Sequence, residues 1–157
     1  MSGEMHVLAN GLTVAVDPLP GAESVALGLY ASVGSRSEPQ WLGGLAHLVE
    51  HMVFKGAGGR DTRELAEVIE DGGGSLNAWT GRDQTVFHGR ALARDLPLVA
   101  ELIANLVRAP HFEAEHLERE KQVIMSELGE ARMLPTTSST TICSRPHSMA
   151  SQSAGRC

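Results

Sequence analysis

Gly43-Gly44-Leu45-Ala46-His47-Leu48-Val49-Glu50-His51-Met52-Val53-Phe54-Lys55-Gly56 decides how the rest of the chain reads. Leu42–Lys55 predicts a helix that opens from a loop and closes at Gly56, since glycine ends helices readily. On that helix His47 and His51 stand four apart and share one face. Two imidazoles on successive turns can hold one Zn2+. Glu50 follows His47 by three residues, near the same face, where a carboxylate can take a proton from an activated water. His-x-x-Glu-His carries the groups of His-Glu-x-x-His in inverted order. So short a pattern can arise by chance, and its surroundings carry the weight. Leu42, Leu45, Ala46, Leu48, Val49, Met52, Val53 and Phe54 leave little polar face, which predicts a buried helix. Burying two histidines and a glutamate without partners would cost several kcal/mol. A hydrogen-bonded core histidine explains one buried His well, but two plus a carboxylate poorly.

A catalytic zinc takes three protein ligands and keeps a fourth position open. The third must come from elsewhere in the chain. Phe112–Arg132 predicts a long last helix with an apolar stripe of Leu117, Val123, Ile124, Leu128 and Ala131. Glu120 and Glu127 fall on that stripe, whereas Glu118, Arg119, Lys121 and Glu130 lie off it. Carboxylates on a packed face need partners, supplied either by buried ion pairs or by a metal.

Outward from these helices the chain alternates. Met5–Leu8 and Leu12–Val16 flank Asn10-Gly11, a strong hairpin signal. Ser24–Val33, apolar and rich in small residues, predicts a buried strand. Thr62–Asp71 predicts a helix with Thr62 as its N-cap. Ser75–Thr80 and Gln84–Leu92 predict two strands joined at Gly81-Arg82-Asp83, and Leu96–Arg108 an amphipathic helix ended by Pro110. Mixed helices and hairpins predict an α+β fold, a largely antiparallel sheet packed against helices.

Composition excludes several classes. The 157 residues amount to one domain or part of one, 42% apolar, with a net charge of −6 and no basic stripe for nucleic acid. No apolar run reaches the roughly 20 residues of a membrane span. Glu4, His6 and Asp17 interrupt any signal-peptide core. Both cysteines, Cys143 and Cys157, lie in the last fifteen residues, which predicts a cytoplasmic chain without a disulfide framework.

The stretch Gly43–Gly56 resembles the active-site helix of the pitrilysin/insulinase (M16) family of zinc peptidases, in its bacterial, processing-peptidase-like branch. Asn10-Gly11-Leu12 is similar to the family's N-terminal turn, and Asn77-Ala78-Trp79-Thr80 to its substrate-pairing strand. The spacing from His51 to Glu127 matches that of the family's third ligand, and Glu120 matches a second family glutamate. The resemblance covers about residues 5 to 132. It implies an incomplete domain of the LuxS/M16 peptidase-like fold. It also implies one Zn2+ held by His47, His51 and Glu127, Glu50 as general base, and Glu120 orienting a ligand. Asn77, Ala78 and Trp79 would bind a peptide or protein substrate by β-augmentation. Members have two homologous halves, and this chain carries most of the first domain only. An incomplete domain leaves open sheet edges, which favour oligomers.

After Arg132 the texture changes. Residues 133–157 carry no helical or strand period and open into Thr136-Thr137-Ser138-Ser139-Thr140-Thr141. That composition reads as a disordered tail. Shifting the reading frame by one base gives another account. Each Thr codon then reports Asp, Asn, His or Tyr, and each TC-x Ser codon an aliphatic residue or Phe. With first bases chosen within those limits, one consistent restoration is a helical pattern ending in a Gly-Gln-x-x-Gly-Arg-Pro string like the family's. We therefore expect residues 133–157 to be read out of frame. Three functions compete: a zinc endopeptidase fragment, a non-catalytic partner subunit, and a metal-binding remnant without activity. Intact ligands and Glu50 favour enzyme ancestry.

Overall fold

The computed structural model describes residues 3–133, with side chains as far as Glu127. The Ser/Thr-rich segment, its frame-shifted reading and both cysteines lie outside the described residues. The order is β1 (Glu4–Val7), β2 (Thr13–Val16), β3 (Ser24–Ala31), α1 (Leu45–Val53), β4 (Gly56–Ala57), β5 (Arg60–Asp61), α2 (Thr62–Glu70), β6 (Ser75–Thr80), β7 (Thr85–Leu92), α3 (Leu96–Arg108) and α4 (Ala114–Met133). The fold is α+β, with its central antiparallel sheet packed against helices.

The central sheet has the order β3-β7-β6 and is antiparallel throughout. Strand alternation splits β7 between two faces. Phe87, Gly89 and Ala91 point toward α3, together with their cross-strand neighbours Leu29 and Ala78, Leu27 and Leu76, and Val25. Val99, Leu102, Ile103 and Leu106, spaced as one helical stripe, fill that side and are fully buried. Gly89 permits the approach, because a Cβ there would stand 2.8 Å from Val99 Cγ1. The other face presents Tyr30, Trp79, Asn77 and His88.

Three expectations need correcting. β3 is an edge strand with alternating exposed and half-buried residues, not a buried strand, because only one of its faces meets helices. α1 begins at Leu45 rather than Leu42, because Gly44 takes φ 95° and the Glu38 carboxylate accepts from the Gly44 and Ala46 N–H groups at 2.7 and 2.6 Å. α2 is capped by Asp61, not Thr62. Asp61 Oδ1 accepts from Glu64 N at 2.8 Å, and Glu64 Oε2 from Asp61 N at 2.9 Å, a reciprocal capping box.

The Asn10-Gly11 hairpin forms as expected, with Glu4 opposite Val16 and Val7 opposite Thr13. It makes a separate two-stranded sheet whose side chains stay open, Met5 at 74% and Val7 at 73% exposure. α1 is placed firmly at its end. Gly56 adopts φ 148°, and its carbonyl accepts from His111 N at 2.7 Å. That bond ties the end of α1 to the α3–α4 link, which lays α4 beside α1.

Candidate metal centre

α1 contributes His47 and His51, and α4 contributes Glu120 and Glu127. His47 Nε2 and His51 Nε2 lie 3.1 Å apart, with the rings edge to face at 86°. Glu127 Oε2 stands 3.8 Å from His47 Nε2 and 3.9 Å from His51 Nε2. Ligands at about 2.0–2.2 Å from a tetrahedral zinc stand roughly 3.3–3.5 Å from one another. The three edges of the triangle, 3.1, 3.8 and 3.9 Å, bracket that spacing. Among the described residues these three form the one such group of His, Cys, Asp and Glu side chains.

Glu120 is buried at 7% exposure, as its place on the stripe predicted. Its Oε2 lies 2.9 Å from His51 Nδ1, and its Oε1 accepts from Lys55 Nζ at 2.7 Å. Burial pushes its carboxyl up. The hydrogen bonds from Lys55 and His51, with their charges, outweigh burial and hold it below its ordinary range. An ionised carboxylate only accepts, so the bond to Glu120 places a proton on His51 Nδ1, and the ring turns its Nε2 toward His47 and Glu127.

Two burial expectations fail here. Glu127 shares the Glu120 face of α4 but its side chain is 48% exposed, because it lies two turns further on, at the open side of the histidine pair. Val123 is exposed, while Leu117 and Ile124 turn inward. α1 is also less enclosed than its composition predicts. Met52 and Val53 are buried, but Leu45 and Val49 remain open. The histidines are thus half-buried, and the cost of unpartnered burial is a weaker argument for a metal than the converging nitrogens.

Glu50 is half-buried on α1, about 60° round the helix from His47. Among the described residues its carboxylate has no hydrogen-bond or ion-pair partner. Asn77, Ala78 and Trp79 lie on β6, an outer strand of the central sheet and a neighbour of α1. They do not form one side-chain surface, because Ala78 is buried on the α3 side while Asn77 and Trp79 point the other way. Their common feature is the backbone edge. The Ala78 N–H donates to Asn77 Oδ1 at 2.8 Å, and Gly81 N donates to Gln84 O across the turn. Alternate residues of an antiparallel strand bond to one neighbour, so Leu76, Ala78 and Thr80 direct their N–H and C=O groups to the open side. Thr80 Oγ1 donates to Ala46 O at 3.5 Å, which places this edge beside the first turn of α1.

Sequence reasoning assigned nothing to Glu38 or Lys55. A carboxylate six residues before Gly44 was a weak signal for a cap. Lys55, a lone cation after an apolar helix, was the only hint of its pairing.

This α+β domain brings two helix-borne histidines and a distant glutamate together as side chains that could hold a metal ion. The sequence narrows this further. The model of the family Insulinase (Peptidase family M16) matches residues 13–152, and the chain belongs to that family. It is 38% identical over 127 residues to the mitochondrial-processing peptidase subunit beta of Lentinula edodes, covering 81% of this chain and 27% of that one. It is 39% identical over 128 residues to an uncharacterized zinc protease of Rickettsia bellii, covering 82% and 31%. The crystal structure of a protease from Helicobacter pylori superposes with a TM-score of 0.75 at 28% identity, covering 80% of this chain and 30% of that one. The chain thus spans less than a third of the length of these relatives. No helix among the described residues is long and apolar enough to cross a membrane.

Proposed function

We propose that this chain carries the zinc centre of a metalloendopeptidase, with His47, His51 and Glu127 as ligands. The observation that carries the reading is the triangle of Nε2, Nε2 and Oε2 atoms at 3.1, 3.8 and 3.9 Å. The donor set of two imidazoles and one carboxylate suits zinc and leaves one position open. Bound there, the ion would polarise the scissile carbonyl and lower the pKa of water. Glu50, with no competing partner among the described residues, takes the proton from the attacking water and passes it to the leaving amide nitrogen. Glu120 holds His51 in the tautomer that presents Nε2. An extended peptide adds to the open side of β6 through the backbone of Leu76, Ala78 and Thr80, with the Asn77 amide swinging off the Ala78 N–H to admit it. The names of two relatives, a zinc protease and a mitochondrial-processing peptidase subunit beta, support this reading.

Positioning the substrate supplies much of the rate, and loose geometry costs two or more orders of magnitude. We infer that the 157-residue chain alone binds zinc but turns over peptide slowly, needing the rest of the family's length for activity. The zinc content of wild type, His47→Ala and Glu127→Gln tests the ligands, and equal content in all three would sink them. We further propose a cytoplasmic location on cysteine usage, and an out-of-frame origin for residues 133–157 on the helical pattern beneath Thr136–Thr141. Protease protection in fractionated cells tests the first. Reading the DNA around codons 130 to 135 in all three frames tests the second.

A further inference from the structure

We propose that Lys55 is a positioning residue for the metal centre, acting through Glu120 to fix the ring of His51. This rests on the zinc reading above and adds a residue that touches neither metal nor substrate. Lys55 Nζ stands 2.7 Å from Glu120 Oε1, and His51 Nδ1 stands 2.9 Å from Glu120 Oε2. One carboxylate thus has a cation on one oxygen and an imidazole on the other. The last torsion of a glutamate is soft, so a carboxylate with a single partner swings easily. Pinned at both oxygens, Glu120 holds a fixed plane and passes that orientation to the His51 ring.

The cation is also needed where it stands. Glu120 is buried, and a buried carboxylate left without its counter-charge is strongly destabilising. Among the described residues Lys55 is the one lysine or arginine that pairs with it. The backbone holds Lys55 in place. Lys55 N donates to Met52 O at 3.0 Å at the end of α1, and the next residue, Gly56, is tied to His111. The turn that lays α4 against α1 therefore delivers the ammonium to Glu120. Ligand, carboxylate and cation form a line whose far end is set by the fold.

The test is zinc affinity by chelator competition, with the cobalt absorption spectrum as a second readout, on the full 157-residue chain. Wild type, Lys55→Met, Lys55→Arg, Glu120→Gln and the double variant Lys55→Met/Glu120→Gln form the set. Far-UV circular dichroism checks each fold, and Lys55→Gln replaces Lys55→Met if that variant unfolds. Lys55→Met should weaken zinc about 10- to 100-fold, the range for partners that orient a metal ligand, and alter the cobalt bands. Lys55→Arg should recover most of the loss. In the Glu120→Gln background, removing Lys55 should change affinity less than about twofold, because its route to His51 is already cut. Affinity of Lys55→Met equal to wild type would overturn the proposal, as would an undiminished loss in the Glu120→Gln background. If wild type itself binds no zinc, the zinc reading falls and this inference with it.

Discussion

The α1–α4 face and the β1–β2 hairpin are both apolar and both announced by local sequence, yet only one of them is held. At α1 and α4, Met52, Val53 and Ile124 are buried, and His51, Glu120 and Lys55 interlock across the two helices. In the hairpin, the turn and register are as well defined, but Met5, Val7, Leu8 and Leu12 all remain open. Pattern dictates local geometry in both regions. What differs is whether a distant element returns to cover the apolar side, and α4 does so for α1.

Four substitutions probe the difference between covered and open regions. Leu102→Ala, in the core between α3 and the sheet, should cost about 2–5 kcal/mol and abolish a cooperative melt in so small a domain. Gly89→Ala, whose new methyl meets Val99, should cost about 1–3 kcal/mol by thermal unfolding. Glu38→Ala removes the carboxylate that caps α1 and should cost about 1 kcal/mol, with zinc affinity falling in parallel as the first turn frays. Val7→Ser in the hairpin should shift stability by less than about 0.5 kcal/mol while reducing self-association in light scattering. A large loss of stability from Val7→Ser, or none from Leu102→Ala, would break the comparison.

Much of the fold was legible because local rules fix it. α3 and β6 fall on the residues their patterns predicted, with a stripe at Val99, Leu102, Ile103 and Leu106 and strand alternation through Ala78. The departures are each physical. Glu38 caps α1 from outside the helix, and Asp61 outcompetes Thr62 because Glu64 reaches back to it. The apolar composition of α1 stated what could be buried, not what was present to bury it, so Leu45 and Val49 stay open. At the candidate site, helical spacing put His47 and His51 on one face, and the stripe on α4 marked Glu120 and Glu127. Exposure of Glu127 and the bond from Lys55 to Glu120 depend on how two distant helices meet, which no local pattern encodes.

Zinc-edge X-ray absorption of the zinc-loaded chain, compared with its Glu127→Gln variant, reads the ligands of the ion themselves. About one zinc per chain is expected, with two imidazoles and carboxylate oxygen at about 2.0–2.2 Å, and an oxygen shell that changes in the variant. A spectrum with no imidazole scattering, or one unaltered by Glu127→Gln, would contradict it.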